Sequence, residues 1–350
     1  MIALKLKILA SLALIIGLTG CANMGYYWQS ARGQLDLAGR AQPIQTVIDD
    51  PATAEPLKKK LTAVLEIRAF ASRELQLPDN NSYRRYADLQ RSYAVWNVFA
   101  APEFSIQPKE WCFPVAGCVN YHGYFAKDAA EQFAAGLQQQ GYDVFVGGVP
   151  AYSTLGWFND PVLNTFIKYS DAEIARLIFH ELAHQLLYVR DDSVFNESFA
   201  VTVETEGMRR WLESKGSIEQ RNAFALAQQR KKEFISLLQK YRTKLAALYT
   251  TAQSDEEKRE GKAELFKNLQ EEYRQLKTSW GNFNRYDAWL TQAPNNAQLA
   301  SVAIYTELVP AFQALLAQQQ GDLPLFYQAV KKIAQLPKEE ITAQLHELHD

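Results

Sequence analysis

The chain has 350 residues, 47% of them hydrophobic, and a formal net charge of −2. That length and composition support a substantial core in one or two domains. Lys and Arg are scattered and form no basic face, which excludes nucleic acid as a partner.

Read from the first residue, "MIALKLKILASLALIIGLTGC" carries Lys5 and Lys7, then an apolar run, and ends in Leu18-Thr19-Gly20-Cys21. A short positive segment, an apolar stretch too short to span comfortably and small residues before a cut define a secretory signal. Because the cut falls before a cysteine, the segment resembles a bacterial lipoprotein signal with its lipobox. The resemblance implies removal of residues 1–20, acylation of Cys21 and a mature chain tethered to the cell envelope. Ala22, where an Asp would retain such a protein elsewhere, implies the outer membrane with the protein facing the periplasm. No later stretch reads as a membrane span. Residues 21–350 are expected to form a single domain, with an α+β half over 26–190 and a helical half over 191–350.

Residues 26–77 have apolar positions at helical spacing, as in "EPLKKKLTAVLEIRAFASRELQL", and "LPDNNS" breaks the pattern. From Tyr83 to Phe158, "SYAVWNVFA", "CVNYHGYF", "DVFVGGV" and "YSTLGWF" are rich in aromatic and β-branched residues and read as strands. One helix, "KDAAEQFAAGLQQQG", interrupts them and stops at Gly141. Cys112 and Cys118 remain as an even pair for an oxidising compartment, with Pro114 and Gly117 suited to a reversing loop, and a disulfide is expected. After Pro161 almost everything reads as helix, including a long pair joined through "AQSDEEKREGK". The fold class is therefore α+β and predominantly helical, with a small mixed sheet ahead of a larger helical part.

The most informative stretch is "SDAEIARLIFHELAHQLLYVRDDSVFNESFAVTVETEG". Ser170 and Glu173 form a capping-box pattern that starts a helix. On that helix His180 and His184 lie about 40° apart, and Glu181 about 60° beyond His184. Two imidazoles one turn apart can share a zinc ion, with the adjacent carboxylate placed to take a proton from water. After "YVRDDSVF" the helix restarts, with Asn196 as the expected N-cap. Glu197 follows His184 by thirteen residues and is the expected third ligand. Glu204 shares the face of Glu197, about 20° away. It either accepts a hydrogen bond from a ligand histidine or stands exposed. Ala200 between them is small enough for close helix approach.

Together, His180-Glu181-Leu-Ala-His184 and Asn196-Glu197-Ser-Phe-Ala200 resemble the glutamate-ligated zincins. With "PVAGCVNYHGYF" and "LGWFNDP" upstream, the chain more closely resembles a family of bacterial lipoproteins to which an aminopeptidase activity is ascribed. The resemblance covers nearly all of the mature chain. It implies a zincin-like fold, zinc as cofactor and a peptide substrate. The spacing to Glu197 is shorter than in thermolysin-like and membrane-alanyl-aminopeptidase-like enzymes, so the connection between the helices must be tighter.

A peptide hydrolase also needs an edge strand for its substrate, and "AYSTLGWFNDP", with Ser153, Leu155 and Gly156, is the expected one. A donor for the oxyanion is expected at Tyr305, with His122, Tyr121 and Tyr124 as alternatives. His346 and His349 read as surface residues near the chain end. The competing functions are a non-catalytic envelope scaffold with a structural zinc site and a zinc hydrolase of a non-peptide envelope substrate. A purely structural site has no need of Glu181.

Overall fold

The computed structural model describes residues 25–348 apart from 114–116, 152 and 292–293. The signal segment, the lipidation at Cys21, His349 and the His346 side chain lie outside the described residues.

Helix α1 covers 25–40, followed by β1 (Gln42–Pro43), α2 (Ile44–Asp49) and α3 (Glu55–Leu75). In α3, Pro56 sits in the first turn, where its missing N–H is not needed. Its buried positions Leu61, Val64, Ile67, Ala71 and Leu75 repeat at amphipathic spacing. Then come β2 (Arg85–Ala87), β3 (Val95–Pro102), β4 (Trp111–Phe113), β5 (Gly117–Val119), β6 (His122–Tyr124), α4 (Lys127–Gln139), β7 (Tyr142–Val149) and β8 (Val162–Leu163).

The expected mixed sheet is divided. Among the described residues β6-β3-β7 is antiparallel, β1-β2-β8 is mixed, and β4 pairs with β5 alone. Alternation along β3 and β7 sends Val98, Ala100 and Val144 into one cluster with α4, and Phe99, Ala101 and Phe145 into another. Cys112 and Cys118 are bridged across β4–β5.

Among the described residues, one expected strand, the one read from "YSTLGWF", is absent. After β7 ends at Val149 the chain turns, with Leu155 at φ 55° and Gly156 at φ 83°. The Asp160 carboxylate accepts from Thr154 N at 3.0 Å and Thr154 Oγ1 at 2.7 Å. These side-chain bonds replace a ladder, a competition that β-forming composition does not reveal.

Helices α5 (Asn164–Ile167), α6 (Asp171–Leu186) and α7 (Ser193–Lys215) follow. The capping box of Ser170 and Glu173 opens α6 as its sequence predicts. The start of α7 differs from expectation: Asp192 is the N-cap and accepts from Phe195 N at 2.9 Å. Asn196 lies inside the helix, where its amide donates to Val189 O and accepts from Val189 N, both at 2.7 Å. That side chain clamps the connection between α6 and α7, which a second partner also fixes. Cys118 N of the bridged hairpin donates to Asp191 Oδ1 at 2.5 Å.

The remaining helices are α8 (Ile218–Tyr249), α9 (Asp255–Ser279), α10 (Asp287–Thr291), α11 (Asn296–Ile304), α12 (Val309–Gln318), α13 (Leu323–Ile333) and α14 (Lys338–Glu347). Helices α8 and α9 share their own core, including Phe234, Tyr241, Leu245, Phe266 and Tyr273. Most of their expected joint is the start of α9, capped by Ser254 and Glu257. Contrary to the sequence reading, Asn296–Gln318 is apolar enough for a membrane span, with mean hydropathy 1.5. Turns at 305–308 interrupt it, and it is largely buried beside β3, β7 and α7.

Replacing Asn196 with Ala should strand both backbone groups of Val189. Urea unfolding should report a loss of about 1–3 kcal/mol, the usual penalty for unsatisfied polar groups. A stability equal to the parent's would mean that the clamp contributes nothing.

Candidate metal centre

Close approach of α6 and α7 brings the predicted donors together. Ala200 is fully buried, and a Cβ on Gly207 would fall 2.8 Å from both Phe179 Cδ2 and Leu75 Cδ1. A larger residue at 207 would wedge α7 away from α6 and α3. Across this contact His180 Nε2 and His184 Nε2 are 3.2 Å apart. Glu197 Oε2 lies 3.2 Å from the first and 3.6 Å from the second. The donor atoms of His180, His184 and Glu197 all fall within 4.8 Å of one another, a group that could hold a metal ion.

Glu204 is buried, and its Oε2 lies 3.0 Å from His180 Nδ1. Arg176 Nη1 donates to the same oxygen at 3.0 Å. Arg176 escaped the sequence reading, although its position four residues before His180 puts it on the same helix face. The Nδ1 of His184 is buried and has no hydrogen-bond partner among the described residues, so the polar contacts of that ring are made through Nε2.

The electrostatics favour a positive charge at this point. Burial would lower the His180 pKa, but bonds to Glu197 and Glu204 raise it to about 10. Burial would raise both carboxylates. For Glu197 the His184 charge and the His180 bond outweigh burial, and for Glu204 the Arg176 charge and the His180 bond do so. Both carboxyls are held at about 2. Two Nε2 atoms and a carboxylate oxygen are acceptors in their ligand forms, so their convergence requires either a proton or a metal cation between them. The donor set suits zinc, which takes imidazole and carboxylate ligands.

Glu181 is half-buried and makes no hydrogen bond among the described residues; burial pushes its carboxyl up, and the two histidines pull it partly back. Tyr305 is the C-cap residue of α11, its ring centroid 6.5 Å from that of His180. The turn after it is held to α7 where Leu308 N donates to Ser198 Oγ at 3.2 Å, next to Glu197. Burial and nearby carboxylates push the Tyr305 hydroxyl far up, so it stays protonated. Tyr121 packs in the same cluster as Tyr305. His122 and Tyr124 instead stack with Tyr26 and Phe133 in the cluster that includes α4 residues. Burial there lowers the His122 pKa to about 4.

Ser153, Leu155 and Gly156 lie on the loop held by Asp160. A Cβ on Gly156 would come 3.8 Å from Gln185 Cγ, just past His184. The loop therefore borders α6 without forming a strand. The sequence reading also missed the network behind it, where Gln185 Nε2 donates to Ser82 Oγ at 3.2 Å and Asp160 Oδ2 at 3.3 Å.

Residues 25–345 match the family described as "Putative aminopeptidase", and the chain belongs to that family. No curated protein and no solved structure matches the chain.

The raised pKa of His180 means that the metal-free protein carries this proton at neutral pH. A metal ion taking Nε2 must displace it, so affinity should rise with pH. Calorimetric zinc titration at pH 7 in buffers of different ionisation enthalpy should show close to one proton released per ion. Release of none would contradict the raised His180 pKa.

Proposed function

We propose that the protein is a zinc-dependent peptide hydrolase of zincin type, acting as an aminopeptidase. In this reading, Cys21 tethers it at the outer membrane, facing the periplasm. The observation that carries the proposal is the convergence of His180, His184 and Glu197 beside a Glu181 carboxylate that makes no hydrogen bond among the described residues. A scaffold with a structural metal would gain nothing from burying that free carboxylate on the ligand helix.

His180, His184 and Glu197 would hold the ion. Bound zinc supplies Lewis acidity toward a carbonyl and lowers the pKa of water. Glu181 takes the proton of the attacking water and delivers it to the leaving amine. Its burial favours this role, because raising the pKa of the carboxyl makes the carboxylate a stronger base toward the water proton. Glu204, ion-paired to Arg176, fixes the His180 ring through Nδ1 and leaves Nε2 for the ion. Tyr305 donates its hydroxyl proton to the oxygen on which negative charge develops. Ser153, Leu155 and Gly156 meet the substrate from the loop beside Gln185.

A peptide library incubated with the purified protein, with cleavage positions read by mass, tests the activity. Cuts confined to the first bond are expected, and an absence of any cleavage would exclude the hydrolase. Glu181→Gln should keep its zinc while turnover falls by at least about 10²-fold, the loss expected for a missing general base. Glu197→Ala should lose zinc and recover activity in part when zinc is added in excess. Loss of metal from the first variant and retention by the second would reverse the two roles.

A further inference from the structure

Helix α1 turns one face into the fold and presents an apolar stripe on the other. Its inner face is fixed. Gly33 lies against the Phe125 ring with no room for a Cβ, and Leu37 is buried in the main core. Gln29 Oε1 accepts from Phe125 N at 3.1 Å, and the Tyr26 ring centroid lies 4.0 Å from that of His122. At about 100° per residue, Tyr26, Gly33 and Leu37 fall within roughly 40° of one another. Trp28 and Leu35, about 20° apart, lie on the opposite side of the helix.

Trp28 is 71% exposed and Leu35 72%, with Tyr27 at 44% on the edge of the stripe. Ala31 and Ala38 are exposed beside them. From Tyr27 to Gly39 this outward arc holds one charged residue, Arg32, and no acidic side chain. Three of the eight large hydrophobic side chains exposed among the described residues therefore fall on this one helix. Scattered exposed apolar residues are ordinary, but a contiguous stripe marks a contact surface. Its composition, with Trp and Tyr beside a basic residue, fits the interfacial region of a bilayer. Position along the chain points to the same surface. Cys21 precedes Gly25, the first residue of α1, by four positions. Fully extended, that segment spans at most about 14 Å, and the helix adds about 5 Å to reach Trp28. An acyl group on Cys21 therefore holds Trp28 within about 20 Å of the lipid.

We propose that the outward face of α1 docks on the membrane interface, with Trp28 and Leu35 at the acyl boundary and Arg32 at the lipid phosphates. The inference rests on the Cys21 tether of the proposed function and adds a second point of attachment. A tether alone leaves the domain free to turn. A helix mounted on the fold through Gly33, Gln29 and Tyr26 and lying flat on the bilayer fixes its orientation. Because the tether confines the face beside the lipid, a modest intrinsic affinity keeps it there.

The test uses the mature chain, residues 21–350, with Cys21→Ser, which carries no acyl group and keeps every described residue. The probe is vesicles of phosphatidylethanolamine and phosphatidylglycerol, part of them with brominated acyl chains. The protein should sediment with the vesicles as lipid is raised, and bromine should quench a tryptophan emission that Trp28→Phe removes. Trp28→Ala combined with Leu35→Ala should weaken partitioning by at least about tenfold, since both apolar contacts are lost. Its Tm should not fall, because both side chains are exposed in the fold. No sedimentation of the unacylated parent at millimolar lipid, or equal partitioning of parent and double variant, would overturn the inference. Self-association that the double variant abolishes, without lipid binding, would assign the face to a second copy and overturn it too. Mass spectrometry of the chain from envelope membranes reads Cys21 separately. An unacylated cysteine there removes the tether, while the vesicle assay still decides the helix face.

Discussion

Burying several hydrogen-bond acceptors at one point is unfavourable unless a positive charge joins them. The contact between α6 and α7 does this with His180 Nε2, His184 Nε2 and Glu197 Oε2, and adds Glu204 behind His180. In the metal-free molecule a proton on His180 supplies the charge, which is why its pKa rises despite burial. The adjoining structure keeps these groups from separating. Gly207 lets the helices meet, Asn196 ties the connection between them, and Ser198 anchors the turn that carries Tyr305. The Cys112–Cys118 hairpin leans on the same connection through Asp191.

Helix α6 presents two stripes with different surroundings. Arg176, His180 and His184 recur at four-residue spacing, and all three engage carboxylates of α7. Glu181 and Gln185 form the second stripe, also four apart, on the side of the 78–83 and 153–160 loops. Every member of the first stripe faces a carboxylate of α7, although His184 Nδ1 has no partner among the described residues. On the second, Gln185 bonds Asn80, Ser82 and Asp160, while Glu181 makes no hydrogen bond among the described residues. A helix used only for packing has no reason to divide its polar residues in this way. The division suits a reaction in which one face holds a cation and the other moves a proton.

Local periodicity made most of α3, α4, β3, β7 and α6 legible, because amphipathic spacing and capping residues act within a few positions. The donor group was legible for the same reason. His180, Glu181 and His184 share one helical turn, while Glu197 and Glu204 share the face of the next helix. Local pattern failed where a side chain outcompeted it. Asp192 took the cap expected of Asn196, since an acceptor at that position reaches Phe195 N and leaves Asn196 for Val189. The loop at Ser153 to Gly156 reads as β-forming, yet Asp160 binds Thr154 and turns the chain.

What stayed invisible depends on distance along the chain. Tyr83 lies 98 positions before Glu181, and the Arg68, Asn80, Asp160 and Gln185 bonds bring the segment 78–83 against α6. Its left-handed φ carries no sequence signal, because tyrosine is not a residue that favours that region. The segment "LPDNNSY" announces a break and nothing more. What the break does emerges from its partners: an arginine buried in α3 gathers three of its carbonyls, and a glutamine from the histidine helix takes its side chains. This loop is ordered from both sides. Its strained residue, Tyr83, is fixed by the backbone bond from its N–H to Asp160 O, so a conformation unfavourable for tyrosine is held by contacts made far along the chain.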